Sequence, residues 1–192
     1  MVRSFTGAAV DHEQLRALCA TALWSPTAGN AAGVRLSIVS HDLVPAFIDV
    51  ATDDEWRTRS TRYAGLARAG AVVLVTTRPQ DYEVRYQAPD KSASGLGERE
   101  AWPVPYWHGD AAMAAMALLL LLEDVGLAAT LWGNFRHDHD ILEWASIRDE
   151  ELFASILIGH ADGKDHRSTS LERDVPTRAE RVRIVGAAPN LE

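Results

Sequence analysis

The chain has 192 residues, of which 47% are hydrophobic and 24% are charged, and its net charge is −8. This length and composition are typical of a globular protein, and we expect residues 1–192 to form one domain. The acidic balance argues against general nucleic-acid binding, which needs a basic face. The single cysteine excludes an intrachain disulfide, and the first ten residues lack the apolar core of a signal peptide, so we expect a cytoplasmic protein.

The first half of the chain predicts helices that alternate with strands. Residues 11–23 carry apolar side chains at helical spacing behind Asp11, a suitable N-cap residue. Residues 34–40 alternate as a half-buried strand does, and residues 44–52 are helical in pattern. Residues 71–77, AVVLVTT, are nearly all apolar or β-branched, which is typical of a central strand covered on both faces.

A loop at residues 24–33, WSPTAGNAAG, joins the first helix to the first strand. Pro26 ends the helix, because proline lacks an amide hydrogen and restricts the residue before it. Thr27, Asn30 and several free backbone amides could contact a polar ligand. A plain connection between helix and strand explains the same composition, and from the residues alone both interpretations stay open.

Residues 79–108 differ from the rest of the chain. They contain four prolines and polar stretches, and they end in an aromatic cluster of Trp102, Tyr106, Trp107 and His108. A loop of this length inside a compact domain is usually functional or disordered, so we interpret it as a loop or lid insertion. Its aromatic side chains either cover a flat, apolar ligand or pack onto the body of the protein.

Residues 110–126, DAAMAAMALLLLLEDVG, predict one helix of about four turns. Twelve consecutive residues, 111–122, are Ala, Met or Leu, with Asp110 as the N-cap and Gly126 at the C-terminal end. A helix that is apolar all round is buried on every side. The run is shorter than the roughly 20 apolar residues that a membrane span needs. We therefore expect a long central core helix, either inside one thick domain or shared with a second subunit.

The second half of the chain predicts further strands and a short helix. Residues 127–132 indicate a strand that ends in a glycine turn at Gly133, residues 140–144 a helix, and residues 152–159 a buried strand. Residues 181–185, RVRIV, alternate like an edge strand, and the C-terminal arm at about residues 176–192 could add to another sheet. The element order predicts an α+β or α/β fold, with four or five strands packed on the central helix.

Motifs that carry side-chain chemistry are missing from the sequence. It contains no Walker-type phosphate loop, no nucleophile elbow, and no glycine-rich dinucleotide motif after a strand. His137 and His139 have no evident third ligand, so no metal site is predicted. An enzyme with this sequence would depend on an organic cofactor, for which the protein supplies binding and electrostatics.

Five stretches, in the right order, resemble the nitroreductase-like flavoprotein family. RSF at residues 3–5 is similar to the end of the family's R-R-S-x-R-x-F opening, and WSPTAGN at residues 24–30 is similar to its A-P-S-x-x-N segment. Residues 69–75 resemble its APVVIV strand. Residues 110–133 resemble the long helix of its dimer core with the strand and glycine turn that follow, and LIGH at residues 157–160 resembles another strand end. The resemblance spans nearly the whole chain except about residues 79–105.

This resemblance implies a homodimeric α+β protein with a mixed or antiparallel sheet around a long buried helix. It also implies FMN as the cofactor, and the reduction of nitroaromatic or quinone-like acceptors with NADH or NADPH. Arg3, with Ser4 beside it, would approach the FMN phosphate. Arg173 or Arg178 would supply a further phosphate ligand from the C-terminal tail.

The flavin ring would lie between the two subunits of the dimer that the resemblance implies. The backbone amide of Gly133, next to Trp132, would face flavin N5. The isoalloxazine or ribityl group would be contacted by three residues of the partner subunit's loop, and three aromatic residues would line the substrate side. The loop residues are Pro26, Thr27 and Asn30, and the aromatic residues are Trp102, Tyr106 and Trp107.

Three departures from the family pattern keep other functions open. Only two residues precede Arg3, so the upstream arginine and serine of the opening are absent, and phosphate binding could be weaker or shared with Arg62 or another residue. The usual Q-P-W is replaced by AGV at residues 32–34, and Trp132 stands where some members have an acid. The alternatives are a flavin oxidase or dehydrogenase of a peptide-like or heterocyclic substrate, a non-catalytic flavin-binding protein, and a scaffold that has lost the cofactor.

Overall fold

Helices and strands alternate along the chain in the computed structural model, which describes residues 1–165 and 168–185. The helices are α1 (His12–Ala22), α2 (Val44–Ala51), α3 (Asp54–Arg59), α4 (Tyr63–Leu66), α5 (Pro79–Gln87), α6 (Tyr106–Asp124) and α7 (Asp138–Trp144). The strands are β1 (Val34–Val39), β2 (Ala71–Thr77), β3 (Ala128–Trp132) and β4 (Glu151–Gly159). The four predicted strands in the first 160 residues are therefore confirmed to within one residue at each end.

The strands form one antiparallel sheet in the order β1-β2-β4-β3. All seven residues of β2 are buried, which confirms the prediction of a strand covered on both faces. The register pairs Val34 with Thr77 and Trp132 with Ser155. Because β1 and β3 are the two edges, the loop before β1 and the turn after β3 lie at opposite edges of the sheet.

Two apolar layers enclose the sheet. One face packs against α1 and α6, where Leu15, Leu118 and Leu122 are fully buried. The opposite face packs against α2 and α7 through Phe47 and Ile141. Each of these side chains stabilises the fold by roughly 2 kcal/mol through the removal of apolar surface from water. The core therefore lies on both sides of the sheet, and α6 provides the largest part of one layer.

The long helix α6 begins earlier than the sequence predicts. It starts at Tyr106 behind Pro105, so Asp110 lies in the second turn and is not the N-cap. The physical reason is a tertiary contact: the Asp110 side chain accepts hydrogen bonds from Ala28 and Tyr82 instead of from the amides of its own helix. The residues before Asp110 therefore remain free to extend the helix.

The same helix is not buried on every side within one chain. Met113, Met116 and Leu120 are 41%, 53% and 60% exposed on its outer face. The prediction of burial on every side is therefore wrong for the single chain, because residues 1–165 and 168–185 provide one sheet against which α6 can pack. The exposed face of α6 is consistent with the other alternative, a helix shared with a second subunit.

Residues 79–108 are not a loop throughout, and this part of the prediction is wrong. Pro79 stands in the first turn of α5, where proline is favoured because no intrahelical amide bond is needed there. Two short 3-10 turns follow at Ser92–Ser94 and Arg99–Ala101. Tyr82 of α5 packs with Trp102 and Trp107 in a third, smaller apolar cluster. Most of the segment is thus attached to the body of the protein.

The predicted edge strand at residues 181–185 is not formed. These residues belong to no strand, and Val182, Ile184 and Val185 are exposed. A strand needs a partner for its backbone hydrogen bonds, and this segment finds none among residues 1–165 and 168–185. The rest of the predicted arm, residues 186–192, lies outside the described residues. In the described ranges, no helix combines the length and apolar character required to cross a bilayer.

Candidate functional site

The segment that follows β3 carries hydrogen-bond donors without partners. Among the described residues, no acceptor pairs with the backbone amide of Gly133. Asn134 is only 9% exposed, and its Oδ1 accepts a hydrogen bond of 2.6 Å from the hydroxyl of Ser155. The Nδ2 of Asn134 has no partner in the described part of the chain. Because an unmet buried donor is costly, neighbouring unpaired donors favour a ligand with acceptor atoms.

A cavity of about 310 Å³ adjoins these donors at the end of β3. Its walls are partly aromatic: the ring centroids of Trp132 and Trp56 lie 5.7 Å apart, and Trp132 meets Phe47 edge-to-face at 6.2 Å. This packing holds the strand end that presents Gly133. We call this cavity the aromatic cavity; it is lined by Ala51, Thr52, Asp53, Trp56, Trp132, Gly133, Asn134, Phe135, Arg136 and His137.

Phe135 covers the glycine turn from outside. A Cβ placed on Gly133 would lie 2.4 Å from the Phe135 ring, so only glycine allows the ring to approach this closely. Phe135 is 95% exposed, and displacement of its ring therefore costs little buried apolar surface. The ring therefore packs against Gly133 while it stays open to solvent.

A second cavity, of about 510 Å³, adjoins the aromatic cavity and shares Asp53, Trp56 and Arg136 with it. Arg59 pairs with Glu55 at 2.7 Å, whereas Arg62 and Arg136 have no carboxylate partner in the described ranges. Positive charge without a partner thus lies beside the aromatic wall. We call this cavity the arginine groove; it is lined by Asp53, Glu55, Trp56, Arg59, Ser60, Thr61, Arg62 and Arg136.

His137 contacts two carboxylates at the rim of the aromatic cavity. Its Nε2 lies 3.9 Å from Oδ2 of Asp53, and its Nδ1 lies 3.5 Å from Oδ2 of Asp140. In residues 1–165 and 168–185, no group of three or more His, Cys, Asp and Glu side chains is arranged to hold a metal ion.

Asp110 holds the loop at residues 24–33 in place. One oxygen of its buried carboxylate accepts hydrogen bonds of 2.8 Å from both the amide of Ala28 and the hydroxyl of Tyr82. Burial, reinforced by this carboxylate, raises the pKa of the Tyr82 hydroxyl, so the hydroxyl stays a donor. Arg85 adds a hydrogen bond of 2.8 Å to the carbonyl of Gly29. The backbone of this loop is therefore tied to both α5 and α6.

The predicted ligand residues of this loop do not meet Gly133 within one chain. Thr27 accepts a hydrogen bond from the amide of Ala32 and lines a separate cavity of about 280 Å³. Pro26 and Asn30 are exposed, and Asn30 has a φ of +55°. The loop precedes one edge strand and Gly133 follows the other, so three strand spacings, about 14 Å, separate them across the sheet.

Arg3 and Ser4 lie between the end of β4 and α4. The amide of Arg3 donates to Oδ2 of Asp165 at 3.2 Å, and the hydroxyl of Ser4 donates to Oδ2 of Asp162 at 2.8 Å. A Cβ on Gly65 would lie 2.4 Å from the carbonyl oxygen of Arg3, so glycine permits this close passage. Two carboxylates adjoin the segment predicted to approach a phosphate, and they weaken its attraction for an anion.

The remaining predicted residues are dispersed. Arg173 and Arg178 are exposed in the segment that follows the last short helical turn. Trp102 and Trp107 are buried, and the indole of Trp102 donates to the carbonyl of Leu96 at 2.9 Å. These two tryptophans pack onto the body of the protein and do not present their faces to a substrate. Of the predicted aromatic residues, only Tyr106 is substantially exposed.

The glycine turn, the antiparallel sheet and the long apolar helix are the features on which the sequence resemblance depends. A model of the nitroreductase family matches residues 1–160. This chain belongs to the nitroreductase family. Members of this family are FMN-dependent oxidoreductases, so the enzyme class and the FMN cofactor predicted from the sequence are confirmed at the level of the family.

Solved structures of nitroreductases share the fold at low sequence identity. The nitroreductase family protein from Streptococcus pneumoniae TIGR4 has 16% identity and a TM-score of 0.69, over 95% of this chain and 94% of that chain. Nitroreductase CinD from Lactococcus lactis, in complex with nicotinic acid, has 18% identity and a TM-score of 0.69, over 93% of this chain and 95% of that chain. The FMN-dependent nitroreductase from Clostridium difficile R20291 has 16% identity and a TM-score of 0.65, over 97% of this chain and 94% of that chain. No curated protein gives a significant match.

Sequence reasoning missed several residues of the two adjoining cavities in this nitroreductase-family chain. Asn134, Phe135 and Arg136 follow the glycine turn directly, and a polar, an aromatic and a basic residue in succession after a strand end were the available signal. Trp56 lies in α3, and Arg62, which the sequence offered only as a residue that could share the phosphate, directly precedes α4. Their position beside the end of β3 depends on tertiary packing and has no local signature.

Proposed function

We propose that this chain is an FMN-dependent reductase that takes hydride from NADH or NADPH and reduces nitroaromatic or quinone-like acceptors. The proposal depends on one observation, the unpaired amide of Gly133 beside an aromatic cavity, in a chain of the nitroreductase family. The names of two relatives, an FMN-dependent nitroreductase and a nitroreductase in complex with nicotinic acid, support the same chemistry.

The residues around Gly133 fit the ring of a flavin. The Gly133 amide and Nδ2 of Asn134 supply donors for its acceptor atoms, and Trp56 and Phe135 supply flat apolar surface. A preorganised donor that faces the ring favours added electron density there. Bound FMN supplies the two-electron transfer between donor and acceptor, while the protein binds and orients both and keeps water out. Arg3, Ser4, Arg173 and Arg178 remain the family-derived candidates for the phosphate.

The proposed enzyme is a homodimer, in which α6 of each copy packs against the other. Met113, Met116 and Leu120 form an exposed apolar stripe on the outer face of this helix, and such a stripe resembles the centre of an obligate interface. Dimerisation also removes the difficulty that the loop at residues 24–33 and Gly133 lie at opposite edges of one sheet. Pro26, Thr27 and Asn30 of the partner subunit would complete the flavin site.

The visible absorbance spectrum of the purified protein tests the proposed reaction. We expect a flavin spectrum that bleaches when NADPH or NADH is added under nitrogen, and that returns when a quinone or nitroaromatic compound is added. A protein that neither carries flavin nor takes up added FMN contradicts the proposal. The riboflavin-loaded protein serves as a control for the contribution of the phosphate.

Sedimentation velocity tests the dimer. Met116→Glu places a charge at the centre of the apolar stripe, and we expect it to convert a dimer into monomers and to release bound flavin. Val84→Glu is the matched control, because Val84 is also exposed, at 61%, but lies on α5. Equal effects of the two variants would contradict an interface on α6.

A second candidate is a protein that binds flavin without reducing a substrate. One observation favours it: the Phe135 ring packs against the glycine turn so closely that a Cβ on Gly133 would lie 2.4 Å from it, which leaves little space at this point of the cavity. It predicts bound flavin that stays oxidised in the presence of NADH and NADPH. Flavin that resists both nucleotides but bleaches with a peptide-like or heterocyclic reductant would instead favour the oxidase or dehydrogenase direction.

A further inference from the structure

The arginine groove is the part of the molecule whose charge the family chemistry leaves unexplained. Three arginines and two carboxylates line it, and the ion pairs among them can be counted. Glu55 neutralises Arg59 at 2.7 Å. Asp53 is the N-cap of α3: its Oδ1 accepts a hydrogen bond of 2.6 Å from the backbone amide of Trp56. Its Oδ2 lies 3.9 Å from Nε2 of His137. Both carboxylates of the groove thus have other partners, and two of its three guanidinium groups have no carboxylate partner among the described residues.

Those two guanidinium groups belong to Arg62 and Arg136. Both residues are exposed, and neither has a carboxylate partner in residues 1–165 and 168–185. The chain as a whole carries a net charge of −8, so its general field repels anions and an anion site requires local positive charge. A phosphate monoester carries about two negative charges near neutral pH, which two arginines balance through forked, charge-assisted hydrogen bonds.

The groove is also continuous with a surface suited to a flat ring. Trp56 and Arg136 line both the arginine groove and the aromatic cavity. A ligand that spans the two cavities therefore has a planar, apolar end near Trp132 and an anionic end near Arg62. That combination describes a nucleotide.

We propose that Arg62 and Arg136 form the phosphate-binding site for a nucleotide whose planar ring enters the aromatic cavity. This inference rests on the proposed function for the use of a flavin and a pyridine nucleotide, either of which could supply the phosphate. It assigns the binding of that phosphate to these two arginines. Arg3 is less suited to that role, because Asp162 and Asp165 adjoin its segment.

Direct titration with inorganic pyrophosphate tests the anion site without any flavin or substrate. The double variant Arg62→Gln/Arg136→Gln removes both charges but keeps side chains of similar reach. We expect it to bind pyrophosphate at least about tenfold more weakly than the unmodified protein by calorimetry, as the loss of charge-assisted hydrogen bonds implies. Arg16→Gln is the matched control, because Arg16 is an exposed arginine on α1 outside both cavities. Equal pyrophosphate affinity in the unmodified protein and the double variant overturns the inference.

Three further titrations identify the source of the phosphate. If the groove holds the flavin phosphate, the double variant loses about tenfold or more in FMN affinity and keeps its riboflavin affinity. If it holds a phosphate of the pyridine nucleotide, FMN and riboflavin affinities stay unchanged and NADPH affinity falls. Loss of riboflavin affinity together with that of FMN indicates general damage to the fold and counts against the inference. An unmodified protein that binds pyrophosphate but no flavin contradicts the proposed function and leaves the anion site standing.

Discussion

Two segments of this chain resemble flavin contacts of the same family, yet the structure treats them differently. The loop at residues 24–33 has its backbone tied down by Asp110 and Arg85. In the described part of the chain, the turn at residues 133–137 has an unpaired backbone amide at Gly133, an unpaired Nδ2 at Asn134 and an exposed aromatic ring at Phe135. The loop is anchored to α5 and α6 through side-chain hydrogen bonds, whereas the turn carries a buried side-chain donor that has no partner among the described residues.

The difference indicates that the loop and the turn have different roles in the proposed site. A loop that is anchored by side chains of two helices keeps its shape whether or not a ligand is present, so it can serve as a rigid wall. A turn with unmet donors gains free energy when a ligand supplies acceptors. We therefore expect substitutions behind the loop to lower the stability of the protein, and substitutions in the turn to change ligand binding with little effect on stability.

The largest stability effect is expected for Asp110→Ala. The buried hydroxyl of Tyr82 and the amide of Ala28 both lose their acceptor, so we expect the free energy of unfolding to fall by about 2–4 kcal/mol. Urea unfolding followed by tryptophan fluorescence measures it. Asp110→Asn is the control, because its carbonyl oxygen can still accept both hydrogen bonds, and it should lose less. A loss below about 1 kcal/mol for Asp110→Ala would show that this carboxylate does not hold the loop.

The second effect concerns close packing under the same loop. A Cβ on Gly33 would lie 2.4 Å from the fully buried ring of Tyr82 and 3.1 Å from the carbonyl oxygen of Arg78, and neither can move freely. We expect Gly33→Ala to cost about 1–3 kcal/mol of stability. Gly126→Ala is the comparison, because Gly126 has a φ of +75° with no atom within 4 Å of its added Cβ. It should cost only backbone strain of about 1 kcal/mol, and a larger loss there would contradict the packing argument.

A third effect is the response of the core next to the loop to alkaline pH. Burial raises the pKa of the Cys19 thiol to about 11 from an ordinary value of 9.0. The unfolded thiol ionises first, so its contribution to stability is complete below pH 9.0 and is lost as the pH rises through about 11. Between these values, we expect the unmodified protein to lose on the order of 1 kcal/mol more than Cys19→Ala. Urea unfolding curves at several pH values measure the difference, and parallel pH profiles would refute it.

The smallest stability effects, but the clearest binding effects, are expected in the turn. Phe135→Ala removes an exposed ring and should change the free energy of unfolding by less than about 0.5 kcal/mol. Gly133→Ala should weaken FMN binding by about tenfold or more, because its Cβ occupies the face beside the unpaired amide. Urea unfolding measures the stability of the Phe135→Ala variant, and fluorescence titration with FMN measures the FMN affinity of both variants.

The double variant Gly133→Ala/Phe135→Ala separates two causes of that weakening. If the Cβ acts only by pushing the Phe135 ring aside, the loss of FMN affinity disappears when the ring is absent. If the Cβ blocks the flavin itself, the loss persists, which is the result that the proposed site requires. The comparison is a double-mutant cycle on two residues in contact.

Much of the fold was accessible from local patterns. The alternation of β1, the continuous apolar run of β2 and the N-cap at Asp11 all depend on neighbouring residues, and the structure confirms them. The failures have a common origin. Pro79 was counted among the prolines of a predicted loop, although it stands in the first turn of α5, and the alternating segment at residues 181–185 finds no strand partner among the described residues.

The candidate site shows the same contrast between features that neighbouring residues predict and features that need a distant partner. The glycine turn after β3 and the loop at residues 24–33 were predicted to contact the flavin from the family resemblance, and this role stays a prediction. The roles of Asp110, Trp56 and Arg136 were not predicted, since each depends on a neighbour far away in the chain. The sequence by itself determined which helices and strands form and to which family the chain is similar. Only the tertiary structure decided which polar groups remain unpaired, because hydrogen bonds and ion pairs between distant residues form only when the chain is folded.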